Sequence, residues 1–163
     1  MAAQTFTPHT SAPAVDSGWS AAVAQAGRLQ LGHGLPTVDL ANLRAGERAT
    51  LDTRARPDRW LAGEHEPFWS DEPTARVVVT DQRILVTPDW RGGMSLWHVD
   101  LENLQLAHTD RGWHLDLHPV GINPRVRLCG DDVPLVALHV AYTVFPSTWA
   151  RLSGLLPLLD SAA

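Results

Sequence analysis

His114-Leu115-Asp116-Leu117-His118 is the stretch whose residue types come nearest to a metal or acid–base site. Alternation along a strand puts His114, Asp116 and His118 on one face and the two Leu on the other. Side chains two apart on a strand are separated by about 7 Å, so all three reach one small ion only if the strand bends. Two of them together with His98 or His108 from a neighbouring strand would make a mononuclear site. The simpler reading is a solvated polar face with Leu turned inward. Glu64-His65-Glu66 is a loop tripeptide of similar ligand types and carries the same double reading. Cys129 is the only thiol, and it precedes Gly130-Asp131-Asp132, which reads as a turn and not as an activating base. A single cysteine excludes an internal disulfide and a cysteine-based zinc cage. No Gly-x-Ser-x-Gly elbow, phosphate loop, His-Glu-x-x-His or dinucleotide fingerprint occurs, so the expectation is a non-enzyme without metal or cofactor.

Binding chemistry is better represented. Trp60, Phe68 and Trp69 stand in an acidic stretch with Asp58, Glu64, Glu66, Asp71 and Glu72. Aromatic side chains bury much area with few rotors, which suits them to a protein contact. The other reading is that they fold back as a cap. With seven Trp in 163 residues, one core does not easily hide them all, which favours some contact surface. The net charge is −5, and the 13 basic residues are all Arg, scattered without a run. A nucleic-acid partner needs a concentrated positive stripe to displace phosphate counterions, and a polybasic membrane contact needs a similar cluster. Neither is present.

These residues must be held by a predominantly β domain. Residues 1–16 are rich in Thr, Ser, Ala and Pro and read as a disordered arm. Residues 17–40 read as an accessory helix and linker: Asp16 or Ser17 offers an N-cap, Trp19, Val23 and Ala26 share a face, and Gly32, Gly34 and Pro36 end the helix. The main domain is expected over 41–160. Alternation predicts a first strand over 48–54, then a long connection over 56–73. Strands follow near 75–80, 83–88 and 94–99, with 101–108 as a bent continuation of the last. Further strands are expected over 113–118, 125–129 and 135–145. Beyond Pro146, Trp149, Leu152, Leu155, Leu156 and Leu159 recur at helical spacing, so a closing helix with one apolar face is predicted. Seven short strands and one amphipathic helix imply a small barrel or sandwich with the helix over its open end. Residues 1–15 lack the basic and apolar regions of a secretory leader, and no apolar run reaches the ~20 residues of a membrane helix, so a cytoplasmic location is expected.

Four segments carry a family resemblance. Leu43-Arg44-Ala45-Gly46-Glu47-Arg48-Ala49 enters the first strand; Val79-Thr80-Asp81-Gln82-Arg83-Ile84-Leu85 makes a hairpin; Val99-Asp100-Leu101-Glu102-Asn103-Leu104 opens a later strand; and Trp149 stands in the closing segment. Their order over roughly 40–158 resembles that of bacterial pleckstrin-homology-like domains, with Asp100 where Pro is usual and Asn103 where Asp is usual. The resemblance implies a seven-stranded barrel capped by a C-terminal helix, with Thr80, Asp81, Arg83 and Trp149 defining the fold. In the hairpin, Thr80 and Asp81 have side-chain oxygens that bond turn amides, and Arg83 is placed to pair with Asp81 or a neighbouring carbonyl. The resemblance also raises phosphoinositide binding through basic residues of the first strand, here Arg54 and Arg56 with Arg59 beyond. The carboxylates of the following loop repel a polyanion at that place. The function expected is therefore a scaffold module for protein–protein contact or self-association, with metal binding at His114, Asp116 and His118 and anionic lipid at Arg54 and Arg56 as alternatives.

Overall fold

A computed structural model describes residues 17–89, 92–121 and 125–151. Helix α1 (Ser17–Gln30) comes first. It is followed by strands β1 (Ala49–Leu61), β2 (Phe68–Trp69), β3 (Ala75–Thr80), β4 (Arg83–Thr87) and β5 (Met94–Trp97). A 3-10 turn, His98–Asp100, leads to β6 (Leu101–Thr109), β7 (Gly112–Pro119) and β8 (Val126–Cys129), then to helix α2 (Val133–Val144) and a 3-10 turn, Trp149–Arg151. All strand pairs are antiparallel, in the order β5-β4-β3-β1-β8-β7-β6, with the short β2 against the end of β1.

The long first strand organises this order. Ala49 to Ala55 pair with β3, and Arg56 to Arg59 pair with β8, so β1 belongs to two four-stranded halves. The outermost strands, β5 and β6, are joined by only three residues. In a flat sheet they would lie about 29 Å apart, a gap that the step from Trp97 to Leu101 spans at most halfway, at about 14 Å. The sheet must therefore curl until its two ends meet at that corner. Inward residues of both halves then share one core: Val77, Val79, Ile84 and Val86 from the first, and Leu104, Leu106, Leu115, Leu117 and Leu128 from the second.

Helix α2 completes that core, and it corrects the sequence reading. Residues 135–145 form no strand. The segment is apolar on nearly every side, with Val133, Pro134 and Val136 to Ala141 all buried, so it has no polar face to give a helical period. A short continuous apolar run of this kind reads alike as a buried strand or a buried helix. Pro134 sits in the first turn, where its missing N–H costs nothing, and favours the helix. Two other expectations change. The stretch 56–73 is no plain connection, because β1 runs on to Leu61 and Phe68–Trp69 pairs back on it. Residues 101–109 are a strand of the other half, not a continuation of β5. Trp149 lies in a 3-10 turn, with its ring edge-on to Tyr142 at 5.8 Å; the remainder of the predicted closing helix lies outside the described residues.

Helix α1 packs on α2 and buries Ala22, Ala26 and Leu29 in the common core. Trp19 stacks on Trp113 of β7 with centroids 4.9 Å apart and planes 7° from parallel. This approach needs Gly18, since a Cβ there would fall inside the Asp131 carbonyl of the turn before α2.

Candidate functional site

Two polar constellations stand out, and they differ in what they leave available. The first gathers the hairpin and the entry to β1. Glu47 has no exposed side chain and accepts Arg83 Nε at 2.8 Å and Nη2 at 3.1 Å, Thr80 Oγ1 at 2.8 Å and the Arg44 amide at 2.9 Å. Both carboxylate oxygens are thus doubly engaged. The Arg83 hydrogen bonds, opposed by burial, hold the Glu47 carboxyl down at about 2. Thr80 Oγ1 also accepts the amides of Gln82 and Arg83, and Asp81 exchanges hydrogen bonds with the Arg48 backbone. Arg83 reaches Ser95 with Nη1, while the Arg83 and Arg44 guanidiniums lie 4.9 and 5.0 Å from the Trp97 ring centroid. The sequence pairs Arg83 with Asp81 or a carbonyl; the structure gives it Glu47, because Asp81 is occupied by Arg48. The Glu47 carboxylate and the Thr80 hydroxyl are fully engaged, so the knot holds the strands together.

The second constellation covers the outer face of β8 and β7. Asp116 accepts Arg127 Nε at 2.6 Å and Nη2 at 2.9 Å. The Arg127 guanidinium lies 4.3 Å from the Trp69 ring centroid, and Trp69 is tilted against Trp60 at 5.0 Å. His114 stands opposite Cys129 and His118 opposite Asn103, so the three polar residues of the His-Asp-His stretch point to separate neighbours. Burial, helped by Arg127, lowers the His114 pKa. Among the described residues no three His, Cys, Asp or Glu side chains gather closely enough to hold a metal ion.

The strand pair β1–β2 is pinned over this face by its base. Asp58 is buried and accepts the Glu72 amide and Arg56 Nη2, both at 3.2 Å, and Ser70 Oγ accepts the Arg59 amide at 2.8 Å. A cleft of about 610 Å³ opens beside it, bounded by Arg56, Asp58, Asp71, Arg111 and Cys129. Burial first and Asp58 second raise the Cys129 thiol pKa, which opposes a nucleophilic thiolate. Arg54 and Arg56 are both ion-paired, to Asp89 at 3.0 Å and to Asp58 at 3.2 Å.

The aromatic trio therefore divides. Trp69 is half-buried and acts as a strut over Arg127, whereas Trp60 is 37 % and Phe68 49 % exposed at the far end of the pair. Leu61, also 37 % exposed, joins them, and sequence reasoning passed it over. The signal was there: Trp60-Leu61 and Phe68-Trp69 are mirror-ordered apolar pairs around a Gly–Pro loop, and they register as Trp60 opposite Trp69 and Leu61 opposite Phe68.

No protein-family model matches this chain, and no curated protein matches it. Among the described residues no helix is long and apolar enough to cross a membrane.

Proposed function

We propose that this chain is a non-enzymatic interaction module that docks a protein partner through the tip of the β1–β2 pair. The observation that carries this reading is the exposure of Trp60, Leu61 and Phe68 at the tip of an arm whose base is held by buried Asp58, with Leu61 and Phe68 paired on one face and Trp60 beside Trp69 on the other. An apolar surface held out on a rigid support loses little entropy on binding. Glu64 and Glu66 occupy the connecting loop, so the matching partner has an apolar recess with a basic rim. A second copy fits less well: the chain carries a net charge of −5, and tip-to-tip pairing brings the same glutamates together. The pleckstrin-homology-like resemblance belongs to the same proposal. It is supported by the order of seven main strands followed by a buried helix, with α2 in the capping role.

The test compares the proteins retained by the immobilised wild-type chain and by a Trp60→Ser, Phe68→Ser double variant of equal melting temperature. A partner that the wild type retains, that salt weakens and that the double variant loses supports the reading. Identical retention by both would remove it.

A further inference from the structure

Away from the β1–β2 arm, a groove of about 540 Å³ runs between α1, the segment around Pro36 and Val38, β1 and the first half of α2. Its volume falls in the range of small-molecule sites, and its walls are mostly apolar. Ala21 and Ala24 keep the α1 side open, facing Leu51 and Leu135. A row of small residues alone says nothing about a ligand. The polar groups do.

Gln25 lines this groove and is only 2 % exposed. Its Oε1 accepts Arg28 Nη2 at 2.7 Å, and because a guanidinium only donates, that bond fixes which way the amide faces. Nε2 is left buried with no acceptor among the described residues. A buried donor without a partner costs about 1–3 kcal/mol, so an acceptor that met it on a turn of the Gln25 side chain toward the groove would recover that loss. His139, 1 % exposed, also lines the groove, with Nδ1 3.0 Å from Thr50 Oγ1. Burial holds its pKa at about 4, so the imidazole is neutral near pH 7. The one carboxylate on the lining, Asp52, is already taken bidentately by Arg76 at 2.9 and 2.7 Å. Arg28 is thus the cation on the lining with no carboxylate bonded to it among the described residues.

From the unclaimed Gln25 donor, the adjacent Arg28 and the apolar walls, we infer that this groove binds a small monocarboxylate with an apolar body. Its carboxylate lies at the Gln25–Arg28 end and its hydrocarbon against Ala21, Ala24, Leu51 and Leu135. The inference is independent of the proposed protein contact.

Calorimetric titration of the full chain with sodium octanoate, below its micellar concentration, tests it against octan-1-ol. Saturable one-to-one binding of octanoate, with a rise in melting temperature and weaker binding of the alcohol, is expected. Arg28→Ala removes an exposed side chain and should weaken octanoate roughly tenfold or more, the loss of a charge-assisted hydrogen bond. Ala24→Phe fills the groove from an exposed position and should abolish binding without lowering stability. No saturable binding to the folded wild type at millimolar octanoate would overturn the proposal. So would octan-1-ol binding as tightly, or an Ala24→Phe variant that binds unchanged.

Discussion

The knot around Glu47 and the arm built on β1 and β2 use the same chemistry to opposite ends. Each has a bidentate arginine–carboxylate pair with an aromatic ring over the guanidinium: Arg83–Glu47 under Trp97, and Arg127–Asp116 under Trp69. In the knot the carboxylate is fully buried and saturated by four donors from three segments. On the outer face both partners keep some contact with water, and the ring above them belongs to β2, which pairs with β1 beside exposed Trp60 and Phe68. Burial is what separates a clamp from a mount. A charge pair that is wholly desolvated cannot lose a partner cheaply, whereas one at the surface contributes little to stability and can serve to aim a neighbour.

The largest effect should come from Glu47→Ala. Removing the carboxylate strands Arg83 and the Thr80 hydroxyl, and a loss of about 3–5 kcal/mol in urea unfolding is expected. A loss below about 1 kcal/mol would end the distinction between the two pairs. Acid is the next probe. His98, next to the knot, and His139 are both buried, and burial depresses each to about 4. The unfolded chain therefore binds more protons than the native one between about 6.5 and 4, and stability falls as the pH is lowered through that window. Up to about 3 kcal/mol per histidine is at stake. Glu47 adds a further loss only below about 4.5, as the pH falls towards 2. Melting curves from pH 8 to 3 should show the decline beginning near 6.5; a flat profile down to pH 4.5 would contradict the buried neutral histidines.

Arg127→Ala should cost only about 1 kcal/mol, the scale of a partly exposed pair with one cation–π contact. Its signature is local: faster amide exchange at Ser70 and Glu72, with the Glu47 region unchanged. If exchange accelerates throughout, the outer pair is a clamp as well. Smallest is the effect of Phe68→Ser on stability, within about 0.5 kcal/mol, because this ring is half exposed at the tip. A larger loss would mean that the tip is packed and not presented.

Much of this was legible from residue order. The hairpin from Thr80 to Arg83 follows from two β-branched runs around a polar break, and the inward Leu115 and Leu117 follow from alternation. What stayed hidden depended on partners distant in sequence. Nothing local tells Arg83 that Glu47, 36 residues earlier, will be its acceptor instead of Asp81 two residues away. Helix α2 hid because complete burial erased its period, and β6 hid because the corner at His98–Asp100 moves the chain to the other half without a Gly or Pro to mark it. The alignment of Arg127 beneath Trp69 required knowing that β2 folds back over β8. For Leu61 the pattern was readable, as the mirror image of Phe68 across the Gly–Pro loop.

The division of β1 between two neighbours also sets an order of assembly. Its first half finds β3 within about thirty residues of chain, but its second half, from Arg56 to Arg59, waits for β8, about seventy residues later. A ribosome releasing this chain therefore exposes an unfinished edge in the middle of its longest strand until Val126–Cys129 has emerged. Closure is a late, long-range event, and a chain stopped before β8 would leave that edge as a template for another molecule.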